Sequence, residues 1–184
     1  GEESSTAADG DGVDLSQGYI DFKRFWCNTD ARLGRQAVAL SDQRFIGALE
    51  WANAGRRFDG LTVNHREEHG LYTGFAYRLA DGFANGDVSD DDTDLIGVWA
   101  TYPGLVDIGT LEFFGIYLND TSDKPGEAQI GRPPSVGHTT YGTYGTRLHG
   151  KDADSGMDWD FQAAIQDGDL AGDDLSAWAV RGGV

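Results

Sequence analysis

One cysteine, four prolines and one methionine are all that this 184-residue chain holds of those types. Cys27 has no second thiol to pair with, so the chain carries no internal disulfide and no thiolate metal cluster. Its four histidines, His65, His69, His138 and His149, are scattered without metal-ligand spacing. No metal site is expected. Basic residues are scarce as well, and the net charge of -17 excludes a nucleic-acid binder, which needs a cationic footprint. No apolar run approaches the roughly 18 residues of a spanning helix, although a barrel strand crosses with only about 10 alternating residues. Nucleophile elbow, phosphate loop and cysteine cluster are all missing. Asp158 and Asp160 are two residues apart on one strand, and no third group supports them as a glycosidase pair. The expectation is therefore not an enzyme and no cofactor.

What is abundant points to antiparallel β-structure. Glycine supplies 27 residues, and Tyr, Phe and Trp supply 7, 9 and 5, a mix that suits turns and pleated strands. Nine segments show period-two patterning, at about 18–25, 31–40, 57–65, 71–79, 93–102, 110–119, 138–149, 157–166 and 175–181. Pro103-Gly104 closes the fifth. A short helical turn is allowed within 41–55, and a Gly- and Asp-rich loop precedes the ninth segment. The connections run short, long, short, long, short, long, short, medium. A water-soluble β-sandwich has little reason to sort its loops by side, whereas an outer-membrane barrel has short periplasmic turns and long extracellular loops.

The alternation within strands agrees. Ile20 and Phe22 oppose Tyr19, Asp21 and Lys23. Trp159, Phe161, Ala163 and Ile165 oppose Asp158, Asp160, Gln162, Ala164 and Gln166. Aromatic residues near segment ends, Phe25, Trp26, Phe58, Tyr102 and Trp159, fit interfacial girdles. A soluble sandwich gives the same alternation, so a soluble β-barrel carbohydrate binder stays as an alternative. Nine is an odd count, residues 1–17 read as a flexible acidic segment, and neither a signal peptide nor a terminal aromatic is present. The expectation is a partial barrel over 18–184, an internal piece of a larger one. An eight-stranded closed barrel is the fallback. Asp87, Asp90, Asp91, Asp92 and Asp94 are close enough to bind calcium but lack the spacing of a defined calcium loop, so they read first as a solvated charge run.

Several blocks resemble one family. Leu33-Gly34-Arg35-Gln36, Ser41-Asp42-Gln43-Arg44-Phe45-Ile46-Gly47, Trp51 and Arg56-Arg57-Phe58-Asp59-Gly60 are similar to the bacterial alginate-export family of outer-membrane porins. Later blocks follow the same resemblance: Asp90 to Leu95, Tyr117 to Asp120, Ser122 to Glu127 and Ser176 to Ala179. The resemblance implies an all-β, antiparallel transmembrane barrel of roughly 18 strands, monomeric, in the lipid of the outer membrane. It also implies passage of an anionic polysaccharide or a related small solute. A general porin on the same scaffold is the neighbouring reading.

A polyuronate carries one carboxylate per sugar, and arginine binds carboxylate in a planar fork. The chain has 11 Arg against 3 Lys. Lys23, Arg78 and Arg147 fall on polar strand faces and are candidates for the lumen. Arg32, Arg35, Arg56 and Arg57 lie in or beside the family motif. Arg32 and Arg35 take opposite faces of a regular strand, unless one of them sits at a bulge or near the rim. Asp21, Asp59 and Asp160 are candidate carboxylate partners that would brace these arginines against the wall.

Overall fold

The computed structural model describes residues 15–48, 56–79, 93–106, 108–120 and 138–184. Among them are nine strands: β1 (Gly18–Trp26), β2 (Thr29–Gln36), β3 (Phe58–Glu67), β4 (Gly70–Leu79), β5 (Thr93–Val106), β6 (Gly109–Asp120), β7 (Thr139–Lys151), β8 (Asp158–Leu170) and β9 (Asp173–Gly183). They form one antiparallel meander in chain order, with β1 and β9 at its two edges. The fold is all-β, as the sequence patterning requires.

Local chemistry sets the turns. Cys27 and Asn28 both have positive φ, 32° and 57°, the signature of a two-residue primed hairpin turn whose twist matches the strands it joins. Ala171 and Gly172 repeat it with φ of 57° and 91°. The expected Gly- and Asp-rich loop before the last strand is therefore a tight hairpin, and β8 and β9 run longer than their patterning indicated. β5 likewise passes Pro103 and reaches Val106 through a register shift. Gly104, with φ of 73°, absorbs the irregularity where Pro103 has no N–H to donate. In the turn after β7, the Asp152 carboxylate accepts from Ser155 Oγ at 2.7 Å and the Asp154 amide at 3.1 Å. These bonds hold its pKa below the ordinary value of 3.8.

Loop lengths sort by end, with one exception. The strand ends joined by the short connections after β1, β3, β5 and β7 lie at one end of the sheet, and those joined by the long connections after β2, β4 and β6 lie at the other. Ala171-Gly172 is the exception, a short turn at the long-loop end.

The two faces of the sheet differ completely. On one, Ile20, Leu33, Leu61, Ile96, Val98, Phe113, Ile165 and Trp178 are all exposed, and cross-strand register places them in continuous rows. This is the open face. On the other face, Phe58, Phe75, Tyr77, Leu95, Trp99, Phe114 and Ile116 form a buried cluster. Segment 37–48 leaves the sheet after Gln36 and packs onto this cluster through Val38, Leu40, Phe45 and Ile46. This is the covered face. The second strand thus ends at Gln36, not Leu40, and the described residues of 41–48 are turns and bends without a helical turn. Leu40 N donates to Ile46 O at 3.1 Å and Gln43 N to Leu40 O at 2.9 Å, closing the segment on itself.

Candidate functional site

The covered face carries most of the organised charge of the described strands. Arg32 donates to both oxygens of Asp21, at 2.7 and 3.1 Å, and its guanidinium lies 3.9 Å over the Tyr19 ring. Lys23 Nζ is 3.5 Å from the same Asp21. Arg66 reaches Asp30 at 2.9 Å. These groups stand on β1, β2 and β3, brought side by side by the neighbouring rows Asp21↔Arg32↔Thr62 and Asp30↔Asn64. Beside them a buried polar chain runs inward: Thr62 Oγ1 donates to Gln36 Oε1 at 2.8 Å, and the Tyr77 hydroxyl lies 2.6 Å from Thr62 Oγ1. Gln36 Nε2 donates to Gly60 O at 3.1 Å. A fully buried amide is thus satisfied, as burial demands.

A second cluster spans β6 to β9. Arg147 makes two bonds to Asp160, at 3.1 and 2.7 Å, and approaches Glu112 at 3.6 Å. Arg181 adds 3.3 Å contacts to Asp160 and to Asp42. Segment 37–48 joins this cluster, because Ser41 Oγ accepts from Arg147 and donates to Glu112. Arg44 closes on Asp42 at 3.3 Å. Side-chain exposures of 11% for Arg147 and 6% for Glu112 make this a desolvated network, where removing one member leaves a buried charge behind. The segment is thus fastened by an apolar patch on one side and by ion pairs on the other.

The candidate residues separate by face. Lys23, Arg32 and Arg147, with Asp21 and Asp160, lie on the covered face. Arg35 and Arg78 lie on the open face near its long-loop end, where Arg35 grips Asp59 at 2.9 and 2.7 Å and Arg78 meets Asp94 at 3.2 Å. The β2–β3 register is unbroken from Thr29 to Gln36, so Arg32 and Arg35 do take opposite faces, with no bulge between them. Arg56 is exposed just before β3, and Arg57 binds Ser16 through its Nε and Nη2, at 3.0 Å to the carbonyl and 3.1 Å to the hydroxyl. Phe58 is buried at 1% exposure, so it belongs to the core and not to an aromatic girdle. The open face does carry aromatic residues at its short-turn end: Tyr72 and Tyr102 meet edge-on at 5.7 Å, with Phe113 6.2 Å beyond. Arg44, Arg66 and Arg181 are covered-face cations that the sequence reading passed over, and Arg181 follows from the same alternation that places Gln162. Asp87, Asp90, Asp91 and Asp92 lie outside the described residues.

An antiparallel meander with an exposed apolar face, a charged opposite face and loops sorted by end has the build of a transmembrane β-barrel wall. The whole chain, residues 1–184, matches the family model described as alginate export. The chain belongs to the alginate-export family, a family of outer-membrane transport porins. No curated protein and no solved structure matches it.

Proposed function

We propose that this chain builds part of the wall of an outer-membrane conduit for a uronate-type anionic polysaccharide. The covered face is its lumen side and the open face its lipid side. Support comes chiefly from the sorting of cations. Lys23, Arg32, Arg66, Arg147 and Arg181 share the covered face, and Lys23, Arg66 and Arg181 are the exposed ones that a chain threading past segment 37–48 can meet. These exposed cations offer each uronate carboxylate a charged partner as it moves from one to the next. Weak, multiple contacts suit conduction, since a single tight site would trap the polymer. Arg35 and Arg78 have no part in the lumen on this reading; they brace the outer wall at the headgroup level.

One observation favours a second reading, a porin with little charge preference. The covered-face arginines already face carboxylates, Asp21, Asp30, Asp42, Glu112 and Asp160. The experiment that separates the two is single-channel recording of the full-length protein in a planar bilayer with added oligouronate. A conduit for uronates gives anion-selective current that oligouronate blocks, with weaker block in Arg181→Ala and unchanged block in Arg78→Ala. Current without selectivity or block favours the general porin.

A further inference from the structure

A groove of about 260 Å³ lies on the covered face between β1, β2 and β3 on one side and residues 36–40 on the other. Its charged lining is Asp21, Lys23, Asp30, Arg32 and Arg66. That is three cations against two carboxylates, a local surplus of one positive charge in a chain whose net charge is -17. The pairing explains which cation is in surplus. Arg32 holds Asp21 with two bonds, at 2.7 and 3.1 Å, and Arg66 holds Asp30 at 2.9 Å. Lys23 is left to share Asp21 from 3.5 Å, with its side chain 64% exposed. Arg66 is also open to a ligand, at 58% side-chain exposure. Neutral hydrogen-bonding groups complete the lining: Asn64, with Thr73 donating to its Oδ1 at 2.7 Å, and the Gln36–Thr62 pair.

The volume falls below the roughly 300 Å³ at which drug-sized ligand sites begin, which suits one sugar ring. A single negative charge neutralises the surplus, and amide and hydroxyl groups match ring hydroxyls. We infer that this groove is a subsite for one hexuronate unit, with Lys23 as its principal carboxylate partner and Arg66 as the second. Arg66 N donates to Asn28 O, in the first short turn, at 3.2 Å, so the Arg66 side of the groove lies near the short-turn end of the sheet and its Gln36 side near the other end. The inference rests on the conduit reading given above.

The test uses the full-length protein in planar bilayers, with free glucuronate as probe and glucose as its neutral counterpart. Glucuronate is expected to produce resolvable blocking dwells and glucose none. Lys23→Gln and Arg66→Gln each shorten the dwell about tenfold, the usual worth of one charge-assisted hydrogen bond. Asp30→Asn raises the surplus by one charge and lengthens the dwell. Dwells unchanged in all three variants, shorter dwells in Asp30→Asn, or no glucuronate dwell in an anion-selective wild type would each overturn the subsite and leave the conduit standing. A channel without anion selectivity would overturn the conduit itself.

Discussion

Ile46 is the test of how segment 37–48 is held. The side chain is 1% exposed and lies in the cluster with Val38, Phe58, Phe75 and Phe114. It belongs to no strand, so its packing supports the seating of the segment and not the ladder beneath. Ile46→Ala removes buried methyl groups at a cost of about 2–5 kcal/mol, transfer and cavity contributions together. At about 1.4 kcal/mol per tenfold, the equilibrium for lifting the segment rises roughly 30-fold to several-thousand-fold. Native-state hydrogen exchange on the folded protein in micelles reads this directly. The Leu40 and Gln43 amides, which donate to Ile46 O and Leu40 O, lose protection by that factor. Amides of β4 and β5 beneath keep theirs. Equal loss across segment and strands would refute the reasoning, because it would mean that the segment opens only with the sheet. No change at Leu40 would refute it as well.

Other expectations follow from the same geometry. Ile165→Arg places a charge on the open face among Tyr144, Trp178 and Val180, and should cost about 2–4 kcal/mol at the bilayer midplane, read as a lower urea midpoint for unfolding from vesicles. Arg147→Met should destabilise by up to about 3 kcal/mol, because the buried Glu112 loses its arginine while Asp160 keeps only Arg181 at 3.3 Å, and adding Glu112→Gln should recover most of the loss in the same assay. Gly97→Val should destabilise the sheet in that assay, since a Cβ at Gly97 meets the Phe75 ring and Gly115 O. The Asp152 carboxylate, held below 3.8 by Ser155 and the Asp154 amide, supports its turn at neutral pH and loses that support as pH falls through its lowered pKa; a carboxyl NMR titration should give a midpoint below 3.8, and Ser155→Ala should raise it.

Much of the sheet was legible because strand alternation reports which face a residue takes, whatever lies on that face. Asp160 and Gln162 opposite Phe161 and Ala163 is enough to orient β8, and the same parity orients β1 and β7. The turn chemistry was harder to read, as Ala171-Gly172 carries neither Asn nor Asp at its first position, so a primed turn there leaves little trace. Pro103-Gly104 gave a strong stop signal that a bulge overrides. The main departure concerns β4. Its row of Thr73, Phe75 and Tyr77 looks like a lipid-side stripe with Arg78 on the polar side. The structure reverses the two, because segment 37–48 covers the aromatic row and turns it into a core. Period-two patterning cannot reveal a loop that folds back over a face, and this is why Arg78 read as sharing a polar face with Arg147 although the two lie on opposite faces. The charged pairs themselves, Arg32 with Asp21 and Arg147 with Asp160, needed only the correct register.

The assignment of faces carries everything else, and tryptophan quenching by brominated lipid tests it most directly. Trp178 is 77% exposed on the open face and Trp99 is 4% exposed on the covered face. In single-tryptophan variants of the full-length protein, reconstituted in vesicles of lipids brominated along the acyl chain, Trp178 fluorescence should be strongly quenched and Trp99 fluorescence left unchanged. Quenching at Trp99 with none at Trp178 would contradict the account.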